Sequence, residues 1–347
     1  MSRDLLFHFR PQKVLAVTLR FTLTWGLGGM AALMIMQQLV TGLLLDVFYQ
    51  PLPVRAYESV QHIQNTIFLG RLVRNMHHWI GHVLIIVVLL HLLRVFFSGA
   101  FYPPRRVNWL VGLGLAVLVL LANFSGYLLP WDQLSYWAVT IATSMLSYIP
   151  LIGIPLQEMI RGGEEVGAAT LQLFYFIHTR LVPAIFFLSL IYHFWFVRKA
   201  GGVLLPGQNP ATRMDKRKFV PVSPNLFVRE LAFAAIVTCV LLLYSMFFDA
   251  PLGDMANPHL TPESVKAPWY FLGAQELLLH VHPLVAVFFL PLGIGSFLVL
   301  LPFVKTRENK PHPLLKALFL SGIGFLLVLT ITGIWFRGPG MRLMWPW

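Results

Sequence analysis

Two pairs of histidines, each inside one long apolar segment, constrain this chain more than any other feature. His77 and His91 are fourteen residues apart, and His178 and His193 are fifteen apart. An α-helix turns about 100° per residue, so the members of each pair lie within roughly 60° of each other around a helix. At about 1.5 Å per residue they are roughly 21 to 22 Å apart along it, one near each surface of a bilayer core. Two such helices side by side would present two bis-histidine sites stacked across a membrane, as two haems require for transmembrane electron transfer.

Neighbouring histidines compete for the first position of the first pair. His78 and His82 lie about 140° and 180° away from His91 around a helix, so both face away from it and the periodicity selects His77. Any single histidine in a membrane helix can instead be an ordinary polar contact between helices. Four histidines arranged as two pairs, each on one helix face, favour the haem interpretation.

The composition indicates a membrane protein. Hydrophobic residues make up 57% of the 347 residues and charged residues 12%, which excludes an ordinary soluble domain. Seven apolar stretches are long enough to span a bilayer. They lie near residues 21–45, 75–98, 108–130, 174–197, 227–248, 283–304 and 313–336.

The distribution of charge predicts the orientation. When the chain is threaded through seven spans, most of the 26 Lys and Arg residues fall on the side of the N-terminus, and most of the 14 acids fall on the other side. Basic loops stay in the cytoplasm, so we expect a multi-pass protein of the cytoplasmic membrane with a cytoplasmic N-terminus. The same topology accounts for the net charge of +12, so a nucleic-acid partner is not predicted.

The single cysteine limits how a haem could be held. Cys239 lies in the middle of a span, and the sequence contains no Cys-x-x-Cys-His motif and no cysteine cluster. Covalent haem attachment and iron–sulfur ligation are therefore excluded. The sequence predicts two non-covalent b-type haems with axial histidine ligands.

Glycine spacing supports the same prediction. Gly28 and Gly42 are fourteen residues apart, and so are Gly112 and Gly126, the same interval as in the first histidine pair. A porphyrin edge packs closely only where a helix lacks a Cβ atom, and two haems need this twice per helix. The alternative is ordinary glycine-mediated helix packing, which is common in membranes.

Two arginines flank the first histidine pair. Arg74 precedes His77 by three residues and Arg94 follows His91 by three, so each lies near the same helix face and could neutralise a haem propionate. An arginine inside a membrane is costly unless it is paired, which favours this role for Arg94. Arg74 lies at the edge of a span and could instead be an interfacial anchor.

Several segments together resemble cytochrome b of the quinol:cytochrome c (or plastocyanin) oxidoreductases, over nearly the whole chain. They are Arg74-x-x-His77, His91-x-x-Arg94, Gly126-Tyr-Leu-Leu-Pro-Trp131 and Pro268-Trp269-Tyr270. The resemblance implies an all-α integral membrane protein with seven transmembrane helices. A four-helix dihaem domain at 1–205 and a three-helix domain at 206–347 with a quinol oxidation loop would correspond to a fused plastoquinol-type cytochrome b and its three-helix subunit.

The resemblance also implies the reaction. Quinol is oxidised at the outer side, and one electron passes to a Rieske iron–sulfur protein and on to a c-type cytochrome. The other passes through an outer haem held by His77 and His178 to an inner haem held by His91 and His193, coupled to proton translocation. The same resemblance implies a homodimer within the complex and assigns Trp269 and Tyr270 to the quinol oxidation site.

One departure concerns the proton acceptor for quinol. The family's Pro-Glu-Trp-Tyr segment supplies a glutamate, whereas this chain has Ala267-Pro-Trp-Tyr270 and no glutamate there. We predict that Glu276 replaces it, because quinol oxidation must release protons to some base. Glu263, His280 and His282 are alternatives. Glu276 could also be an interfacial carboxylate that faces water.

A second set of expectations concerns the inner side. Arg198 and Glu230 are predicted to serve an inner quinone site, Glu230 as a proton donor, although Arg198 could be a positive-inside anchor. Gly26 stands where plastoquinol-type relatives carry the cysteine that attaches an extra haem. We therefore expect no third covalent haem.

Two other functions fit parts of the pattern. A dihaem membrane anchor of another quinone-linked dehydrogenase or hydrogenase would also conduct electrons across the bilayer. A transporter or channel would explain seven spans without any metal. A reduced-minus-oxidised spectrum of the purified protein distinguishes the transporter from both haem proteins.

Overall fold

Seven apolar helices dominate the structure. The computed structural model describes residues 12–204, 219–262, 265–304 and 311–336. Within these ranges, seven helices are long and apolar enough to cross a membrane. They are Leu27–Asp46, Gly70–Ser98, Arg106–Tyr127, Ala168–Lys199, Asn225–Phe247, Val285–Phe303 and Pro313–Trp335. The prediction of an all-α integral membrane protein with seven spans is confirmed.

Shorter helices and one strand pair complete the described chain. The α-helices are α1 Leu27–Asp46, α2 Ala56–Asn65, α3 Gly70–Ser98, α4 Arg106–Tyr127, α5 Gln133–Ser144, α6 Gly153–Arg161, α7 Ala168–Phe176, α8 Val182–Lys199, α9 Asn225–Phe247, α10 Trp269–Leu277, α11 Leu290–Leu300 and α12 Pro313–Trp335. Strands β1 (Lys13–Leu15) and β2 (Phe219–Pro221) pair antiparallel, with Val14 opposite Val220. We call the bundle end with this strand pair the proximal face and the opposite end the distal face.

The first span begins later than predicted. Residues Ala16–Leu19 and Phe21–Leu23 form short 3₁₀ turns, and the α-helix starts only at Leu27. Trp25 and Gly26 precede it with positive φ angles of 53° and 63°. This left-handed backbone cannot continue an α-helix, so the apolar stretch is divided at that point.

Helices α1, α3, α4 and α8 form a four-helix bundle with a common core. Met34, Ile80, Leu84, Val119 and Val182 lie in this core, and each is buried. Lipid is as apolar as these side chains, so their association depends on close packing rather than on escape from water.

The remaining spans lie beside this bundle. Helix α9 packs against α1 and α3, and the short helix α10 packs along α12. A Cβ atom on Gly273 of α10 would lie 2.8 Å from Oγ1 of Thr330, so glycine is required for this close approach. The predicted domain boundary at residues 205 and 206 lies outside the described residues, and the two-domain division stays a prediction.

A π-helical turn interrupts the fourth span at its histidine. Ile177–Leu181 is π-helical, and the Val182 N–H donates to the Ile177 carbonyl five residues earlier. Pro183 follows, and its missing N–H leaves the Thr179 carbonyl without its regular α-helical donor. A π turn absorbs one extra residue relative to an α-helix. The fifteen-residue interval from His178 to His193 therefore has nearly the angular offset of a fourteen-residue interval.

A belt of hydrogen bonds at the distal face joins the four-helix bundle to the segment after α9. Arg74 donates to the carbonyls of Ala250 and Pro251 at 2.8 and 2.7 Å. Asn75 donates to Asp249 at 2.9 Å and accepts from the Ala250 N–H at 2.8 Å. Arg71 also forms an ion pair with Asp249. The hydrogen bond from Arg71, which has the larger effect, and the one from Asn75 lower the pKa of Asp249 to about 2.

The loop after α4 extends this distal belt. Asp132 caps α5 by accepting from the Ser135 N–H at 2.9 Å, and it also accepts from the Gly253 N–H at 3.0 Å. The Gln133 N–H donates to the Asp254 carbonyl at 2.8 Å. These contacts fix residues 249–257 on the bundle and so position the chain that leads into α10.

Candidate functional site

The first candidate site is a layer of two histidines and two glycines near the distal face. The rings of His77 and His178 have centroids 5.9 Å apart. A Cβ atom on Gly42 would lie 3.2 Å from Cε1 of His77, and one on Gly126 would lie 2.5 Å from Cε1 of His178. We call these four residues the distal layer. It unites α1, α3, α4 and the π turn of the fourth span.

Hydrogen bonds fix the tautomers of both histidines in the distal layer. Nδ1 of His77 lies 2.9 Å from Oγ1 of Thr41, whose own hydroxyl donates to the Gln37 carbonyl at 2.7 Å. Nδ1 of His178 lies 3.0 Å from the Ala122 carbonyl, which can only accept. Each Nδ1 therefore carries the proton, and both Nε2 lone pairs stay free to bind a metal.

The second candidate site repeats this arrangement near the proximal face. The rings of His91 and His193 have centroids 6.5 Å apart. A Cβ atom on Gly28 would lie 3.2 Å from Cε1 of His91, and one on Gly112 would lie 3.3 Å from Cε1 of His193. We call these residues the proximal layer. The structure thus brings together the same pairs that the sequence predicted.

Both layers fit a haem with two axial histidines. Imidazole nitrogens bind a metal at about 2.0 Å, so two imidazoles on opposite sides of one ion have centroids roughly 6 Å apart. The observed separations of 5.9 and 6.5 Å match this value. Among the described residues, no cluster of three or more His, Cys, Asp or Glu side chains could hold a metal ion. Two-histidine sites are therefore the best candidates for iron.

Arg74, the arginine near the distal layer, is hydrogen-bonded to other groups of the protein. Arg74 is buried and donates to Oε1 of Gln64 at 2.7 Å, besides its two backbone carbonyls in the distal belt. All of these acceptors are neutral. Its predicted contact with a propionate stays a prediction, and its observed contacts hold the loop after α9.

Three arginines lie near the proximal layer. Arg94 makes a 3.4 Å hydrogen bond to the Leu23 carbonyl, and Nη1 of Arg198 is buried without a hydrogen-bond partner in the described chain. Arg105, which the sequence analysis missed, is buried and donates to the carbonyls of Ala200 and Gly202. Burial lowers the pKa of Arg105, which lies just before α4. Within the described ranges none of the three arginines forms an ion pair, so this region has positive charge available for an anion.

The Pro-Trp-Tyr segment contacts the four-helix bundle at α3. Nε1 of Trp269 donates to Nδ1 of His82 at 2.8 Å, and the ring of Tyr270 lies 6.0 Å from that of His82. Phe271 packs against Phe124 of α4 at 5.9 Å. His82 indeed faces away from the histidine layers, as its helical phase predicts. Its contact with Trp269 had no signal in the sequence, because the two residues are 187 positions apart.

Glu276 has a different environment. It is 2% exposed, so the alternative of a carboxylate that faces water is wrong. Its Oε1 lies 2.9 Å from Nε2 of His280, whose side chain is half exposed. Its Cβ lies 3.8 Å from the Cβ position of Gly333 in α12, so Glu276 faces α12. Trp269 and Tyr270 contact α3. Glu276 instead lies between α10 and α12, and its contact with the half-exposed His280 connects it to the surface. Glu263 lies outside the described residues.

Comparison with known proteins identifies the family. The family model described as "Cytochrome b/b6/petB" matches residues 13–201. Cytochrome b6 of Heliomicrobium gestii is 42% identical over 175 residues, which cover 50% of this chain and 82% of that protein. The chain belongs to the cytochrome b/b6 family.

Two further matches extend the likeness beyond the four-helix bundle. The cytochrome b/c1 protein of Bradyrhizobium diazoefficiens is 32% identical over 324 residues, which cover 89% of this chain but only 46% of that protein. A chain of a solved "Hyperthermophilic respiratory Complex III" is 25% identical with a TM-score of 0.84, covering 98% of this chain and 91% of that one. The chain is therefore a cytochrome b of the type found in bc complexes, in a family that binds b-type haem.

Glu230 and Gly26, two further residues considered in the sequence analysis, lie at the proximal face. Glu230 is exposed in the second turn of α9, and the neighbouring Arg229 donates to the Leu19 carbonyl at 3.0 Å. A Cβ atom on Gly26 would lie 2.7 Å from the ring of Phe233, which also packs on Phe21 at 5.3 Å. The Phe233 ring thus covers the Gly26 position.

Proposed function

We propose that this chain is the dihaem cytochrome b subunit of a quinol:cytochrome c oxidoreductase that includes a Rieske iron–sulfur protein. The observation that carries the proposal is the repetition of one Gly-His-His-Gly layer at two levels of the same bundle. Each layer combines two imidazoles at the separation required by one metal ion with two helix surfaces that lack a Cβ atom. Both non-covalent b-type haems supply one-electron redox chemistry when bound.

In this proposal the protein fixes ligand geometry and balances charge. His77 and His178 would hold the distal haem, and His91 and His193 would hold the proximal haem. Gly28, Gly42, Gly112 and Gly126 leave space for the porphyrins. Arg94 would neutralise a propionate at the proximal end, supported by its lack of a carboxylate partner among the described residues. Arg74 is the distal candidate.

Quinol oxidation is assigned to the distal side of the α10 segment, with Trp269 and Tyr270 at the headgroup. Oxidation of one quinol releases two electrons and two protons. One electron would go to the Rieske protein and on to a c-type cytochrome, and the other would cross the bundle towards the proximal face. Glu276 accepts a proton and His280 passes it to the distal aqueous phase, a route supported by their 2.9 Å contact and by the exposure of His280.

Quinone reduction is assigned to the proximal face. Arg198 is proposed to contact the quinone there, and the exposed Glu230 to deliver a proton from the aqueous phase. Proton release at one face and uptake at the other couple electron transfer to proton translocation. We propose a cytoplasmic proximal face in the cytoplasmic membrane, domains at 1–205 and 206–347, and a homodimer within the complex.

Loss of one axial ligand tests this proposal. His91→Leu removes one of the two axial ligands of the proximal layer, so the purified complex should hold about one haem per chain instead of about two. The distal haem should keep its spectrum and its reduction potential. Haem stoichiometry and redox titration provide the measurement. Two haems in His91→Leu would refute the ligand pairing, and no haem in the wild type would refute the function.

A further inference from the structure

His82 has a fixed tautomer. The indole Nε1–H of Trp269 can only donate, and it points at Nδ1 of His82 at 2.8 Å. Nδ1 must therefore carry a lone pair, and a neutral His82 carries its proton on Nε2. His82 consequently presents an N–H donor on the edge of the ring opposite Trp269.

That donor has no acceptor in the described part of the chain. His82 lies in the interior of the membrane-spanning helix α3 and is half-buried. Its neighbours are aromatic: the ring of His78 lies 4.5 Å away, that of Trp79 5.8 Å, that of Tyr270 6.0 Å and that of Trp269 6.4 Å. An unsatisfied N–H in a bilayer costs free energy, so this position favours a ligand that brings an acceptor oxygen.

We propose that His82 is a headgroup-binding residue that donates a hydrogen bond from Nε2–H to one oxygen of a quinone or quinol. This proposal rests on the proposed quinol oxidation site at Trp269 and Tyr270. A quinone carbonyl and a quinol hydroxyl oxygen both accept a hydrogen bond, and aromatic rings on either side suit a flat headgroup. Trp269 is then a positioning residue, because it sets the tautomer of His82.

The same geometry separates binding from proton transfer. Nδ1 of His82 is occupied by the Trp269 N–H, and Nε2 already carries a proton. His82 in this tautomer cannot receive the quinol proton. It orients the headgroup, and the proton leaves by a different group, such as Glu276.

Equilibrium binding of a short-chain 1,4-benzoquinone analogue to the purified complex tests the proposal. We expect His82→Leu to weaken binding about 3- to 10-fold, as for one lost hydrogen bond, with both haems retained. His82→Gln should restore most of the affinity, because its amide N–H can occupy the position of Nε2–H and its amide oxygen can accept from Trp269. Wild-type affinity in His82→Leu, or equal loss in the Gln and Leu variants, would overturn the proposal.

A double-mutant cycle tests the role of Trp269. Trp269→Phe should weaken binding in the presence of His82 but have a much smaller effect in a His82→Leu background. Trp109→Phe is the matched control, since its indole donates at 2.8 Å to the Leu298 carbonyl and its ring does not contact His82 in the described structure. Its effect should be the same in both backgrounds. Additive effects of Trp269→Phe and His82→Leu would contradict tautomer control.

Infrared difference spectra of the analogue with ¹³C-labelled carbonyls give a direct readout. A hydrogen-bonded carbonyl absorbs at lower frequency than a free one, so the band should move to higher frequency in His82→Leu and return in His82→Gln. An unchanged band in His82→Leu would show that His82 does not contact the headgroup. If the wild-type complex neither binds nor oxidises quinol, the proposed function fails. If it does both while His82→Leu matches it, only the role of His82 fails.

Discussion

At the scale of single residues, the glycines of the two layers offer the sharpest test of haem packing. A leucine at Gly126 would direct its side chain at His178, whose Cε1 is 2.5 Å from the Cβ position. We expect Gly126→Leu to lose the distal haem while the helix still inserts, because leucine transfers favourably into lipid. Haem content per chain, measured after purification, should fall from about two to one.

Gly114 provides the matched control for this change. It lies on the same helix, α4, and a Cβ atom there would meet nothing within 4 Å. Gly114→Leu should therefore keep both haems. If Gly126→Leu assembles with a full haem complement, Gly126 serves ordinary helix packing.

Glu276 carries the second residue-scale prediction. If Glu276 accepts the quinol proton, Glu276→Gln should slow steady-state quinol oxidation by about 10²- to 10⁴-fold, the loss expected for a general base, with both haems bound. Glu58→Gln is a suitable control, because Glu58 is exposed and pairs only with the neighbouring Arg55 in the described structure. Turnover of Glu276→Gln at the wild-type rate from pH 6 to 8 would return the role to another group.

What the sequence could reveal about single residues depended on periodicity. The phase of His77 against His91 is set by one helix, and so it could be calculated. The hydrogen bond from Trp269 to His82 and the partners of Arg74 depend on how two distant segments pack, and no local pattern encodes that. The burial of Glu276 was missed for the same reason, since α12 covers it.

At the scale of helices and loops, the distal belt predicts that the chain tolerates a break between its two parts. Residues 1–204 and 219–347, expressed together as separate chains, should co-purify, because Arg74, Asn75 and Asp132 bind the segment after α9. Affinity purification of a tagged second fragment measures this directly. Recovery of that fragment without the first would contradict it.

One asparagine substitution in each region makes this experiment specific. Asn75→Leu removes three hydrogen bonds, those with the Ser245 carbonyl, Asp249 and the Ala250 N–H, and leaves buried partners unsatisfied, at a cost of about 1–3 kcal/mol for each such group. The yield of the paired fragments should fall. Asn225→Leu is the control, because among the described residues the Asn225 side chain bonds only to Pro221, within the second fragment.

Helices that span the membrane were predictable, and the elements at their ends were not. About twenty apolar residues in a row identify a span whatever it contacts. Helices α2, α5 and α6 are short and lie in the distal loops, where no such run exists. The late start of α1 was hidden as well, because the positive φ angles of Trp25 and Gly26 interrupt a continuous apolar stretch.

At the scale of the whole molecule, the orientation in the membrane can be tested by labelling. Cys239 is the single cysteine, so Cys239→Ala gives a background without thiols. Leu151 is fully exposed in a distal loop, and Val304 is 41% exposed at the proximal end of its span. A membrane-impermeant maleimide added to intact cells should label Leu151→Cys and not Val304→Cys. Inside-out vesicles should reverse the pattern, and labelling of Val304→Cys in intact cells would invert the proposed topology.

The π turn at Ile177–Leu181 has a consequence for finding this architecture in other chains. Because the turn takes up one residue, the number of residues between two ligands is not fixed, whereas their angular phase is. An insertion or deletion beside the first histidine can thus be silent if a proline follows five residues later, as Pro183 follows His178. A search pattern that demands one interval would reject half of the histidines that we propose as ligands in this protein. One that accepts fourteen or fifteen, with the proline required for the longer form, would recover both pairs.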